Sequence, residues 1–288
     1  MIAEIAETKM LLERLYAKYN RRAFVPPDPL QFVYRFTERR DVEIAGFLAA
    51  ALAYGRVRQI ERSLTQLFDR MNWAPHDFTM RLNGAGGARL RRFKHRFTTG
   101  DDIGDLLDLF RWVLDEYGDL ESFFLRGYDE QHVTVLPALN TFCDSLCERY
   151  TAKHRGRVPP GVDYLLARPS RGSACKRLHL FLRWMVRHDE VDIGPWRSVD
   201  KAKLIVPVDV HIGRLCRILG LHDDRTISRS TAVKITEAFA MMEPTDPVKY
   251  DFALSRIGIL ENCTGERRPA CASCELHEIC SAQRNGTI

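Results

Sequence analysis

The sequence predicts an all-α protein, and three observations carry that expectation. Apolar residues recur at spacings of three and four along most of the chain, the period of a helix that buries one face. No segment sustains the two-residue alternation of a half-buried strand. Clusters of proline and glycine fall between the periodic segments, where a chain of helices has to turn. With 288 residues, 45% of them hydrophobic and 28% charged, the chain can bury one large core or two smaller lobes.

The elements follow in order. A first helix is expected over 2–19, ended by Pro26, Pro27 and Pro29. The next periodic segment, 42–67, contains the longest apolar run, Ile44 to Tyr54. That run is too short to span a membrane and reads as a buried helix. Gly84, Gly86 and Gly87 mark a loop, and helices are expected over 106–117 and 133–150. Pro159, Pro160 and Gly161 mark a second loop. Four further helices are expected over 174–187, 210–219, 231–241 and 247–260. The last is introduced by Asp246 as an N-cap and Pro247 in the first helical position. The N-terminus mixes Glu4, Glu7 and Lys9 with apolar residues, unlike a secretory leader, so a cytoplasmic protein is expected.

Net charge is +5 and the isoelectric point near 8.8, and their distribution says more than the sum. Arg168, Arg171, Lys176, Arg177, Arg183 and Arg187 fall in one stretch that contains no acid. A second basic cluster holds Arg89, Arg91, Arg92, Lys94 and Arg96, which is either a solvated face or an electrostatic footprint for a polyanion. The stretch from Asp101 to Glu121 carries eight carboxylates against Arg111 alone, and is expected to face away from nucleic acid.

Eight cysteines in such a chain argue against a disulfide framework. Cys143, Cys147, Cys175 and Cys216 are scattered and expected in the core. Cys263, Cys271, Cys274 and Cys280 instead have the spacing C-x7-C-x2-C-x5-C. Four thiolates this close in sequence can wrap one inorganic centre, and their softness suits either tetrahedral zinc or an iron–sulfur cluster.

Two further segments carry chemistry. Val206-Pro207-Val208-Asp209-Val210-His211 opens the helix expected to run to Leu219, with Asp209 at the N-cap. Its carboxylate either merely satisfies free backbone N–H groups or, held at the mouth of a cleft, stabilises an oxocarbenium ion or activates water against a sugar. Upstream, the small residues Gly172, Ser173 and Ala174 precede Lys176 and Arg177 at the start of an amphipathic helix. Small residues at a helix N-terminus let backbone amides approach a phosphate closely. Lys176 is a phosphate contact or a solvated lysine, or else an amine nucleophile that forms a Schiff base with deoxyribose.

The order of these pieces resembles that of the helix-hairpin-helix glycosylase superfamily, in particular endonuclease III and the MutY-type adenine glycosylases. Val208-Asp209-Val210-His211 is similar to their Val-Asp-Thr-His segment, and the cysteine loop to their C-x6-C-x2-C-x5-C loop, with one extra residue here. A bacterial branch of the superfamily is similar in Gly172-Ser173-Ala174-Cys175-Lys176-Arg177, Leu182-Arg183-Trp184-Met185 and the segment from Asp246 to Leu254. Ala53-Tyr54-Gly55-Arg56-Val57 belongs to the same pattern.

The resemblance implies two helical lobes with a cleft, a central helical barrel over 41–166 and a second lobe made of 1–40 with 167–288. It implies a monomer that grips double-stranded DNA carrying a damaged or mispaired base, and that flips this base out before cleaving its N-glycosidic bond. Asp209 and Lys176 are the implied catalytic residues. Arg171, Gly172, Ser173, Arg177, His211, Tyr54 and Arg56 are the implied DNA contacts, with Tyr54 or Arg56 as a wedge, although Tyr54 reads equally well as a core residue. Cys263, Cys271, Cys274 and Cys280 are the implied ligands of a [4Fe–4S] cluster.

Three departures stand out. Gly172-Ser173-Ala174 replaces the usual Gly-x-Gly, and no glutamine stands in the segment from Ala53 to Arg56. Lys176 and Asp209 are 33 residues apart, farther than in endonuclease III, and Asp189, Glu190, Asp192, Pro195 and Trp196 lie in an expected insertion loop between them. A non-catalytic nucleic-acid-binding protein and an enzyme acting on RNA remain open alternatives.

Overall fold

The computed structural model describes residues 2–281; residues 282–288, the end of the second expected lobe, lie outside the described residues. The described residues are all-α apart from one short hairpin. Helix α1 (Ile2–Tyr19) is followed by α2 (Leu30–Val33), α3 (Arg39–Ala51) and α4 (Val57–Arg70). The single helical segment expected over 42–67 is thus two helices. The break falls at Tyr54-Gly55, where Gly55 takes φ +99° and a side chain there would meet Arg96. Two short helices, α5 (Pro75–Met80) and α6 (Gly84–Leu90), come next, so the glycines expected to form a loop sit in helical backbone instead. Glycine costs only about 1 kcal/mol in a helix, and α6 is held between α4 and α7.

Strands β1 (Lys94–His95) and β2 (Thr98–Thr99) form a hairpin with His95 paired to Thr98. Two-residue strands are too short to display an alternating pattern, which is why periodicity gave no sign of them. Helix α7 (Gly100–Tyr117) starts on a capping box between Thr99 and Asp102. Then come α8 (Leu120–Leu125), α9 (Leu136–His154), α10 (Pro160–Leu165), α11 (Lys176–Val186), α12 (Val210–Ile218), α13 (Arg229–Met242) and α14 (Asp251–Ile259). Helix α14 begins four residues beyond the expected Pro247, because Asp246 is engaged by the Arg187 guanidinium rather than capping backbone.

Helix α1 leaves its sequence neighbours and packs on α13 and α14, while α14 also packs on α12. The middle helices pack around α7, with α3 touching α2, α5 and α11. The α3–α11 crossing joins the two groups, and Met185 and Phe181 of α11 lie against Gly46 of α3, close enough that a larger residue would collide with them. One continuous apolar core runs from Leu12 to Leu276. Cys143, Cys147, Cys175 and Cys216 are buried in it, as expected. Among the described residues no helix is long and apolar enough to cross a membrane.

The stretch between α11 and α12 has little regular structure, yet Val191, Asp192, Trp196 and Val199 are buried. The Trp196 indole donates to Glu43 of α3 at 2.7 Å, and Glu43 also accepts from the Leu120 backbone at 3.0 Å. The expected insertion loop is therefore a buried strap across α3 and α8.

Candidate functional site

Asp209 caps α12. The backbone N–H groups of His211 and Ile212 donate to its Oδ1 at 2.9 and 3.0 Å, which satisfies two of the orphan donors of the first turn. The other carboxylate oxygen, Oδ2, lies 3.9 Å from Nζ of Lys176, the first residue of α11. The two side chains are 36% and 26% exposed, so the pair lies at the surface with access from one side. Residues 33 positions apart in sequence thus meet, because α11 and α12 both begin there. Val210, beside Asp209, holds an apolar side chain 68% exposed.

Behind this pair the charges are buried and dense. Asp251, at the start of α14, is close enough to feel both Asp209 and Lys176, and pairs with the Arg183 guanidinium. Burial raises the Asp251 carboxyl, and Arg183 pulls it back. Arg183 Nε also holds Asp192 at 3.1 Å, and Arg187 pairs with Asp192, with Asp246 at 2.9 Å and with Asp189 at 3.0 Å. Tyr16 of α1 donates to Asp189 at 3.0 Å. The ladder ties α1, α11, the strap and α14 together, and it reaches Lys176 and Asp209 through Asp251.

The turn before α11 is built for close approach. Gly172 takes φ +84° with open space where a side chain would be, and Ser173 is exposed. Arg229 N–H donates to the Gly172 carbonyl at 3.0 Å, and Asn140 accepts from the Ser170 N–H at 2.8 Å, so the turn is braced from two sides. Cys175, at the N-cap of α11, supplies no side-chain cap, and its Sγ instead contacts the Ala167 carbonyl. Among the described residues no side chain caps the first turn of α11, whose amides can receive another acceptor. Arg155, Arg157, Arg168 and Arg171 line an open groove beside this turn.

Several residues expected at the DNA are placed otherwise. Arg177 turns inward, donating to the carbonyls of Ala51 and Tyr164 at 2.8 and 2.6 Å and lying 3.9 Å from the Tyr164 ring centroid. It is a structural bridge between α3, α10 and α11 rather than a backbone contact. Tyr54 is half-buried, its hydroxyl bonded to the His95 carbonyl and to Thr98, and it is not available as a wedge. Arg171 is exposed but paired with Asp163. His211 is held through Nδ1 by Arg214 at 3.1 Å and backed by Gly258. Arg56 is exposed.

The four C-terminal cysteines line one cavity. Its remaining wall includes Leu215 and Ile218 of α12, Ile257 of α14, and Leu276. Arg214 donates to the Cys263 carbonyl at 2.8 Å, Arg268 to that of Glu261 at 3.1 Å, and Arg14 and Lys18 of α1 pair with Glu275. Among the described residues no three His, Cys, Asp or Glu side chains are drawn together tightly enough to hold a single ion. Four thiols around an apolar-floored cavity nevertheless form a donor set that fits a thiophilic group, and a cluster several atoms wide sets its thiolates farther apart than zinc with bonds of about 2.3 Å.

Sequence reasoning missed Asp251 as a site residue, Arg214 as the link from His211 to the loop, and the acids that pair the arginines of α11. One signal was present: Arg183 interrupts the apolar run from Leu180 to Val186, a charge in a helix with little polar surface that has to find a buried partner.

No curated protein and no solved structure matches the chain. A family profile described as "Protein of unknown function (DUF2400)" matches residues 28–260, which includes Lys176, Asp209 and Asp251 and ends short of Cys263. Because that match covers most of its length, the chain belongs to the DUF2400 family.

Proposed function

We propose that this chain is a DNA N-glycosylase that removes a damaged or mispaired base, with lyase chemistry supplied by Lys176. The observation that carries the reading is the meeting of Lys176 and Asp209 at 3.9 Å, at an accessible position beside an uncapped helix N-terminus. The target nucleotide has to leave the helix, because its glycosidic bond is inaccessible within the stack. The Gly172–Ser173 turn and the free amides of α11 would hold the flanking phosphate.

With the sugar over Asp209, its carboxylate stabilises the positive charge that grows at C1′ as the bond to the base lengthens. A proton passes from the Lys176 ammonium to Asp209. The freed amine forms a bond to C1′, the electrons of the glycosidic bond leave with the base, and the base takes up the proton that the attached amine sheds. Asp209 then passes its proton to the ring oxygen as the C1′–O4′ bond opens, the nitrogen lone pair forms a protonated imine, and loss of a C2′ proton expels the 3′ phosphate.

Cys263, Cys271, Cys274 and Cys280 would hold a [4Fe–4S] cluster, with zinc the other group that the donor set admits. When bound, the group would cross-link the C-terminal loop against α12 and α14; base release itself calls for no electron.

The test is incubation of anaerobically purified protein with duplexes bearing a panel of damaged or mispaired bases, with and without borohydride. Alkali-revealed cleavage is expected for at least one lesion and is expected to vanish in Asp209→Asn. A borohydride-trapped adduct is expected, and to be lost in Lys176→Ala. Cys274→Ser is expected to lose iron and the brown colour that zinc would not give. Silence across the panel despite tight DNA binding would sink the glycosylase reading. It would favour nucleic-acid binding without base release, a reading supported by the way Lys176 and Asp209 already neutralise one another.

A further inference from the structure

The hairpin between α6 and α7 carries Phe97, 52% exposed and the one aromatic residue among the large exposed apolar side chains of the described residues. It sits at the tip, since His95 pairs with Thr98 and leaves Arg96 and Phe97 as the connecting residues. One face of the ring is supported from below. It stacks on Tyr54 at 5.1 Å with 27° between planes, and meets Tyr164 edge-on at 4.6 Å. Tyr54 is tied to His95 and Thr98 by its hydroxyl, and Tyr164 is covered by the Arg177 guanidinium. The pedestal is therefore rigid, and the aromatic stack leads from the hairpin tip to Arg177, the neighbour of Lys176.

The surroundings are cationic. Arg56, Arg58, Arg91, Arg92, Lys94 and Arg96 are exposed, and among the described residues none of them forms an ion pair. Arg96 holds φ +55°, a left-handed conformation that costs an L side chain about 1 kcal/mol and that glycine would adopt freely. Its side chain lies across Gly55, which itself has φ +99°, so that a Cβ there would displace the arginine. The tip is thus held in a strained form, with the Arg96 guanidinium 5.9 Å from the centroid of the Tyr54 ring on which Phe97 stacks, and strain of this kind is retained where the surrounding structure over-determines it.

We propose that Phe97 is a stacking platform for a nucleobase of the bound DNA strand, with Arg56 and Arg96 on the adjacent phosphates. This rests on the nucleic-acid reading above and adds a contact on the far side of Arg177 from the Lys176–Asp209 pair. An open aromatic face flanked by guanidinium groups is complementary to a base flanked by phosphates, and a base is the ligand for which stacking and charge are both needed.

The test measures affinity for a short fluorescein-labelled duplex with one central abasic-site analogue, and for an RNA hairpin of similar length, across a series of salt concentrations. Phe97→Ala is expected to weaken DNA binding by about tenfold or more with the salt slope unchanged, and Phe97→Trp to stay near wild type. Phe97→Leu keeps an apolar cover over Tyr54 but offers no ring, and is expected to bind as weakly as the alanine variant. Thermal melting of all three variants checks that the fold is kept. Equal DNA affinity for wild type and Phe97→Ala, full recovery by leucine, a Phe97 effect confined to RNA, or no nucleic-acid binding at all would each overturn the proposal. A Phe97-dependent affinity in a protein that releases no base would leave it standing while the glycosylase reading fell. Base release with affinity indifferent to Phe97 would do the reverse.

Discussion

Residues 168–187 and residues 89–96 are both runs of basic side chains without an acid, and they fold into opposite surroundings. In the first segment Arg183 and Arg187 are almost wholly buried against Asp192, Asp251, Asp246 and Asp189. Arg177 is bonded to backbone carbonyls, and Arg168 and Arg171 are paired with Asp163. In the second, Arg91, Arg92, Lys94 and Arg96 are exposed, and no ion pair is formed by them among the described residues. The segment that sequence alone marks as the electrostatic footprint is mostly internal scaffolding. The segment that reads equally well as a solvated face is the one left free to attract a polyanion. A run of charges without intervening acids says nothing of acids that arrive from elsewhere in the chain, and every partner of Arg183 and Arg187 sits on the strap, just before the turn that leads into α14, or at the start of α14.

The sharpest way to break this contrast is Arg183→Met. If the arginine is scaffold, its loss strands two buried carboxylates, and urea unfolding is expected to show destabilisation of about 3–5 kcal/mol. A change below about 1 kcal/mol would mean that the carboxylates are solvated and the contrast is false. His179, on the same helix, offers a second measure. Burial holds its imidazole down to about 3 from an ordinary 6.5, so between those values the unfolded chain carries a proton there that the folded chain refuses. The stability at stake is whole above about pH 6.5 and drains as pH falls, at up to about 1.4 kcal/mol per pH unit. His179→Phe is expected to lose that part of the acid sensitivity, read as a smaller stability gap between pH 7 and pH 5.

On the other side of the contrast, Arg91, Arg92 and Lys94 changed together to alanine are expected to alter stability by less than about 0.5 kcal/mol. The salt dependence of DNA binding should become shallower, with the log–log slope reduced by about 0.9 for each phosphate that the variant no longer neutralises. An unchanged slope would return this face to the status of ordinary solvated surface. Smallest of all is Arg171→Ala. Its pairing with Asp163 is exposed, and less than about 1 kcal/mol of stability is expected to go.

The same contrast explains what could be read from sequence. The helices of 2–19 and 210–219 were legible almost to the residue because their apolar periods are strong and, for α12, because Asp209 is a good N-cap. The juxtaposition of Asp209 with Lys176 was not legible from either local signal; it depends on two helices starting at one place. The hairpin at 94–99 was invisible for lack of length, and with it the exposure of Phe97. The strap from Arg187 to Val208 looked like an insertion because its residues are mixed polar and apolar. Its role is fixed by Glu43 on α3, which is 153 positions from Trp196. Buried ion pairs are long-range by nature, and local pattern has no access to them.

Helix α12 has nine residues, about 13 Å from end to end. One end is capped by Asp209, and its inward side supplies Leu215 and Ile218 to the cysteine cavity, while Arg214 joins the Cys263 carbonyl to His211. The carboxylate and the thiols therefore share a single short rod. Anything that displaces the C-terminal loop therefore acts on the same nine-residue helix whose first turn Asp209 caps.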